Sequence, residues 1–244
     1  MIDFALVAHR GHAARFPENT LPALDAAAGS GILNLEFDIQ LSADGVPVVL
    51  HDATLKRTSA RSGDARAMAW SELRQTSVGE PRRFGAAFDA VCIPSVAEVA
   101  AYAATRPDLH LFPEIKAESL ETHGHARMVP AVLAALAPVL DRCTVISFDL
   151  RAVEMARAAG ARIGWCLPNA RSATRDAAAR LAPEVLFADV ADFGGASPLW
   201  PGAWSWAMYE VTDLATARAF AARGARLIES KRAPELLAEL RASG

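Results

Sequence analysis

Residues 2–11 read Ile2-Asp3-Phe4-Ala5-Leu6-Val7-Ala8-His9-Arg10-Gly11, a largely apolar run followed at once by ionisable residues. The run 2–8 reads as a strand, and the same ending recurs along the chain. Run 32–35 leads to Glu36-Phe37-Asp38, run 46–50 to His51-Asp52, and run 109–112 precedes Glu114-Ile115-Lys116. The C-terminal ends of parallel barrel strands converge on one mouth, so ionisable groups at several strand ends are the one-dimensional image of a barrel active site. The pattern predicts an enzyme.

Outward from these runs, strands alternate with alanine-rich helices. Thr20 is placed to cap a helix over 21–28, with Pro22 in its first turn and Gly29 near its end. Ala43-Asp44-Gly45 turns the chain into run 46–50. Ser95-Val96-Ala97-Glu98 is a capping box that opens a helix through Ala104, which feeds a strand over 109–115. Helices are then expected over 122–139, 149–159, 171–181, 213–223 and 234–242, and strands over 143–147, 162–166, 184–188, 204–209 and 226–229. About eight strand–helix pairs predict an α/β fold of the (β/α)8 barrel type rather than a doubly wound sheet. Residues 53–93 break the alternation and are expected to form a small lid or subdomain packed by Leu55, Met68, Trp70 and Leu73. The whole chain, 1–244, is expected to be a single domain with 53–93 inserted in it.

Composition narrows the function. With 244 residues, 52% hydrophobic and 22% charged, the chain can bury a full core. A formal net charge of -3 with scattered Lys and Arg argues against nucleic acid as a partner. No apolar run approaches the ~20 residues needed to span a bilayer. Met1 leads directly into a motif-bearing strand, so neither signal peptide nor anchor is expected. Cys92, Cys143 and Cys166 lack CxxC spacing and read as small buried residues, so the expected compartment is the cytoplasm. A homo-oligomer is compatible with the sequence.

Glu36 and Asp38 are two apart, so on a strand they share a face, and two carboxylates aimed into a barrel mouth repel unless a cation lies between them. Glu114 supplies a third oxygen ligand, and such a set suits Mg2+ or Ca2+, with Mn2+ as a further candidate, rather than Zn2+. His9 and His51 end two different strands and can divide proton removal and delivery near neutral pH. Arg10 and Lys116 add positive charge where a phosphate could be clamped; the simpler alternative is that they only neutralise Glu36 or Glu114. His12 is expected to be a loop residue, His123-Gly124-His125 a solvated helix start, and Trp200, Trp204 and Trp206 filling between barrel and helices.

These residues resemble the glycerophosphodiester phosphodiesterase family. The resemblance rests on His9-Arg10-Gly11, Pro17-Glu18-Asn19-Thr20, Glu36-x-Asp38, Asp44-Gly45, His51-Asp52 with Leu55-x-Arg57-Thr58, Ile93-Pro94-Ser95 and Glu114-x-Lys116, in order from residue 7 to about 116. It implies a TIM barrel with a small insertion after the strand ending at His51. It also implies hydrolysis of a glycerophosphodiester to sn-glycerol 3-phosphate and an alcohol such as choline, ethanolamine or glycerol, within lipid and glycerol metabolism. By that resemblance His9 and His51 are the acid and base, Glu36, Asp38 and Glu114 the metal ligands, and Arg10 and Lys116 the phosphate holders. Glu18 and Asn19 would support the ligands or serve only as the turn into the first helix, and Asp52 would orient a neighbour or bind the insertion.

The C-terminal half departs further. Ser147-Phe148 fits the family's strand end, so Phe148 would line the substrate pocket or belong to the core. Tyr209-Glu210-Val211-Thr212 stands where the family usually has Trp-Thr-Val-Asn, and Glu229-Ser230 where it commonly has Thr-Asp. Tyr209 and Glu229 are thereby placed on the leaving-group side of the mouth, with Tyr209 as a substrate contact. Two other functions compete: a metal-independent phospholipase C-like lyase, which does not need three converging carboxylates, and a catalytically silent glycerophosphodiester-binding protein.

Overall fold

The computed structural model describes residues 4–194 and 198–243. Of the expected strand 2–8, Ile2 and Asp3 lie outside the described residues. In chain order the elements are β1 (Ala5–Ala8), α1 (Leu21–Gly29), β2 (Asn34–Leu41), β3 (Pro47–Val49), the short helices α2 (Trp70–Leu73) and α3 (Pro81–Phe84), α4 (Val96–Ala104) and β4 (His110–Ile115). They continue as α5 (Ala117–His123), α6 (His125–Leu136), β5 (Thr144–Ser147), α7 (Leu150–Ala158), β6 (Arg162–Cys166) and α8 (Ser172–Leu181). The last are β7 (Val185–Asp189), β8 (Ser205–Tyr209), α9 (Leu214–Ala222), β9 (Ala225–Ser230) and α10 (Ala233–Ala242).

β1 pairs in parallel with both β2 and β9, and β2, β4, β5, β6, β7, β8 and β9 follow one another in parallel, which closes the barrel. Its interior holds Val7, Phe112, Ile146, Cys166, Val185, Phe187 and Ala207, stacked beneath the mouth. A second, larger apolar layer lies between the strands' outer faces and the helices. Trp206, Trp200 and Phe193 meet edge to face there, with ring centroids 5.1–5.7 Å apart. Thr20, Ser95, Asp149 and Asp213 each accept a backbone N–H at the start of α1, α4, α7 and α9, satisfying donors that the helix itself cannot.

Three expectations change. β2 runs on through Leu41, so Glu36 and Asp38 lie within the strand rather than at its end. Leu35, Phe37, Ile39 and Leu41 alternate with Glu36, Asp38 and Gln40, which is the period of a strand with one face in a polar mouth. β3 is not a barrel strand: its one strand partner among the described residues is β2, antiparallel, with Ile39 opposite Val49 and Leu41 opposite Pro47, and its other side meets the Pro94–Ser95 segment. A turn as short as Ala43-Asp44-Gly45 can join only antiparallel neighbours, since parallel ones need a crossover. The helix expected over 122–139 is divided between α5 and α6 at Gly124, whose φ of 78° and ψ of 149° suit glycine, and it ends in a 3-10 segment, Ala137–Arg142.

Residues 53–93 pack around Leu55, Ala65, Leu73, Val78 and Ile93, with Met68 and Trp70 at the margin and Val48 and Leu50 of the β3 hairpin beneath. Both Leu55 and Leu73 are fully buried. Leu73→Ala is expected to lower unfolding stability by ~2–5 kcal/mol and to open this segment first to limited proteolysis. An unchanged urea midpoint and cleavage pattern would show that the cluster does not hold the excursion down.

Candidate active site

The register between β2 and β4 builds the centre of the mouth. Asp38 stands opposite Glu114 and Glu36 opposite Phe112, so Glu36, Asp38 and Glu114 point the same way from neighbouring strands. Each offers an oxygen within 4.8 Å of the others, and all three are buried. Burial, together with Asp38, Glu229 and Glu114, raises Glu36 well above the ordinary carboxylate range. Burial likewise pushes Glu114 up to about 7, against the pull of Lys116. Asp38 goes the other way: burial opposes its charge, but Lys116 and Arg10 outweigh it and hold the carboxyl low.

Those two cations are embedded in the cluster. Lys116 Nζ lies 2.9 Å from Glu114 Oε1 and 3.3 Å from Asp38 Oδ1, and Arg10 Nε lies 3.0 Å from Asp38 Oδ2. Arg10 also donates its backbone N–H to Glu36 Oε2 at 2.8 Å, in a left-handed conformation with φ 59°. The turn that permits this depends on Gly11, where a Cβ would sit 2.6 Å from the Ala23 carbonyl carbon. Asn19, also left-handed, donates Nδ2–H to Asp38 Oδ2 at 2.7 Å and accepts the Asp38 N–H on Oδ1 at 3.0 Å. Asn19 thus ties the Asp38 side chain to the Asp38 backbone N–H.

A divalent cation fits this set on its own chemistry. Glu36 Oε1 is buried without a hydrogen-bond partner, and three carboxylates plus the nearby Glu229 exceed the charge that Arg10 and Lys116 supply. Glu36, Asp38 and Glu114 could hold the ion, with an all-oxygen donor set.

The histidines reach the mouth by different routes. His9 follows β1 and is buried; burial first, then Arg10, lowers it well below its ordinary value, so the ring is neutral. Its Nε2 lies 3.9 Å from Glu36 Oε2 and 3.5 Å from Glu229 Oε1. His51 follows β3, and Gln40 Nε2–H donates to its carbonyl at 2.8 Å. His51 Nδ1 meets Asp52 Oδ1 at 2.6 Å, and Arg57 donates to both Asp52 oxygens and to both Glu18 oxygens. Glu18 in turn accepts from Arg10 at 2.9 Å, and its backbone N–H donates to Glu80 Oε1 at 2.7 Å. One chain of charge-assisted bonds therefore links His51 to Arg10 through Asp52, Arg57 and Glu18.

A cavity of about 140 Å³ is lined by His9, Arg10, His51, Glu114, Lys116, Phe148, Tyr209 and Glu229, with Ile146, Cys166 and Phe187 at its floor. Phe148 is 38% exposed and meets Tyr209 edge to face, with centroids 6.4 Å apart, so it belongs to the cavity wall and not to the core. Sequence reasoning gave no role to Arg57 or Glu80. Arg57 lay inside a quoted motif, whereas nothing local marks Glu80. Glu229, marked in the sequence only by its departure from the family, follows an apolar pair much as Glu36 follows its apolar run. His12 sits in its loop but is buried, with Nε2 3.0 Å from Glu235 on α10. His123 and His125 serve separate partners, the Leu41 carbonyl and Asp149.

Fold and mouth together define a (β/α)8-barrel protein with a histidine–carboxylate site. The chain belongs to the Glycerophosphoryl diester phosphodiesterase family, whose model matches residues 9–224. It is 35% identical over 127 residues to mouse Glycerophosphodiester phosphodiesterase 1, an alignment covering 52% of this chain and 36% of that protein. A Glycerophosphodiester phosphodiesterase of Caldanaerobacter subterraneus is 36% identical over 94 residues, 38% of each chain. The matched region thus spans about a third of the length of these relatives. Among solved structures, an Oleispira antarctica phosphodiesterase in complex with the product sn-glycerol-3-phosphate superposes with a TM-score of 0.83 at 22% identity, covering 97% of this chain and 96% of that one. A glycerophosphodiester phosphodiesterase from Agrobacterium tumefaciens gives 0.74 at 24%, covering 96% and 98%. At these identities the likeness concerns the fold.

Because Glu36 and Glu114 are raised, the metal-free cluster holds protons near neutral pH that a cation must displace. Mg2+ or Mn2+ binding is therefore expected to release protons around pH 7 and to tighten as pH rises. Calorimetry in buffers of different ionisation enthalpy measures the release; binding with no proton exchange would contradict the raised carboxyls. A raised carboxyl costs the fold nothing below its unfolded-state value and progressively more up to its folded-state value, so the metal-free chain should lose stability as pH rises from 4.5 to about 7.

Proposed function

We propose that this chain hydrolyses a glycerophosphodiester to sn-glycerol 3-phosphate and an alcohol, with a divalent cation held by Glu36, Asp38 and Glu114 and proton transfer by His9 and His51. The supporting observation is that two histidines on separate backbone segments, two buried cations and Glu114 line one cavity, with Glu36 and Asp38 offering oxygens within 4.8 Å of Glu114, in a chain of this family. That a protein of the same fold is described with sn-glycerol-3-phosphate as its product supports the product assignment. The oxygen donors suit Mg2+ or Ca2+, with Mn2+ as a further candidate. When bound, the cation would supply Lewis acidity at the phosphoryl group.

The protein groups do the rest. Arg10 and Lys116 line the cavity and neutralise charge that builds on the phosphoryl oxygens. His9, neutral through burial, can accept a proton on its free ring nitrogen. His51, with Nδ1 held against Asp52, keeps Nε2 for the complementary transfer to or from the alcohol. Glu18, Asn19 and Asp52 hold Arg10, Asp38 and His51 in place. Phe148 and Tyr209 offer the apolar wall against which the leaving alcohol packs. The chain acts as a single domain, 1–244, on a small-molecule substrate; no helix among the described residues is long and apolar enough to cross a membrane.

The test is a panel of glycerophosphocholine, glycerophosphoethanolamine, bis-glycerophosphate and lysophospholipids, each with Mg2+, Ca2+, Mn2+ or EDTA. Metal-dependent release of sn-glycerol 3-phosphate is expected from at least one diester. His9→Ala and His51→Ala should each lower turnover ~100-fold or more. No product under any condition would remove the hydrolase reading, and full turnover in EDTA would favour the metal-independent lyase.

A further inference from the structure

The last barrel strand brings a fourth carboxylate to the mouth. Glu229 stands opposite Val7 in the β9–β1 register and is 3% exposed; its Oε2 has no hydrogen-bond partner. Its Oε1 lies 3.5 Å from His9 Nε2, and Glu36 Oε2 lies 3.9 Å from the same nitrogen. All three residues are buried, and their donor atoms lie within 4.8 Å of one another. These separations are long for hydrogen bonds, but two ligands each ~2.1 Å from a tetrahedral ion stand about 3.4 Å apart.

The far side of the imidazole agrees. His9 Nδ1 is buried without a hydrogen-bond partner and faces Glu210 Oε1 at 3.7 Å. Metal-bound imidazoles usually aim their second nitrogen at a carboxylate, which fixes the tautomer that leaves Nε2 free to bind. One imidazole and two carboxylates form a donor set for Zn2+ and its neighbours, whereas the all-oxygen Glu36, Asp38 and Glu114 group favours harder cations.

We propose that His9 Nε2, Glu229 and Glu36 form a second, inhibitory site for a borderline divalent cation of the zinc type, adjoining the hard-cation cluster through Glu36. The ion takes the Nε2 lone pair and withdraws His9 from proton transfer. That consequence rests on the function proposed above; the site itself does not.

Binding of Zn2+ in excess Mg2+ tests the site directly, by metal analysis after gel filtration and by competition with a chromophoric chelator. The wild type should retain Zn2+ stoichiometrically and lose turnover in parallel. Glu229→Gln should weaken Zn2+ binding by at least the ~10–100-fold that even outer-shell changes cost, while Asp38→Asn should keep it. Zn2+ lost in Asp38→Asn but kept in Glu229→Gln would overturn the proposal, as would a wild type that binds none. Should the variants fail to fold, the Co2+-loaded wild type decides: one strongly shifted, exchangeable imidazole N–H proton resonance is expected, and none would refute His9 as a ligand. Mg2+-dependent turnover without Zn2+ binding sinks this inference alone. Zn2+ bound at Glu229 without any turnover sinks only the hydrolase reading.

Discussion

Carboxylate crowding at the barrel mouth is the constraint around which the rest is arranged. Glu36, Asp38, Glu114 and Glu229 are all buried, and each raises the cost of ionising another. Buried like charges are expensive unless cations lie among them. Arg10 and Lys116 are themselves buried and threaded between the acids, and Asn19 ties the Asp38 side chain to the Asp38 backbone N–H. Such an arrangement favours affinity for cations over stability of the fold.

Much of the remaining architecture serves to hold Arg10 and the histidines. Arg10 adopts a left-handed backbone conformation to face two acids at once. Strain of this kind persists only where the surroundings over-determine it. Here Gly11 lets α1 approach closely, and Glu18 takes the guanidinium. The excursion over 53–93 adds Arg57 and Glu80 to the same network, so a segment outside the barrel helps to set the position of groups within it.

The barrel was legible because strand ends and helix caps are local signals. Thr20 and the Ser95–Glu98 box mark their helices as expected. A short apolar run such as 46–50 looks the same in a hairpin as in a barrel strand, and only the length of the connecting turn distinguishes the two roles. The helix over 122–139 was read as continuous because periodicity does not register the backbone angles that Gly124 adopts. Of the site, His9, Glu36, Asp38, His51 and Glu114 were legible as ionisable residues flanking apolar runs. Glu80 was not, since its partner is the backbone of Glu18, far away in sequence.

The sequence by itself determined the barrel, the acidic and imidazole character of its mouth and the family, because strand periodicity, caps and motif spacing are properties of neighbouring residues. Tertiary structure alone decided which of these groups touch. The β2–β4 register set Asp38 against Glu114, and barrel closure through β9 brought Glu229 to His9. Embedding also set Arg10 and Lys116 against Asp38 and Glu114 while leaving both at the cavity wall. Burial and charge spacing are fixed only when strands distant in sequence become neighbours, and they govern both protonation and cation binding.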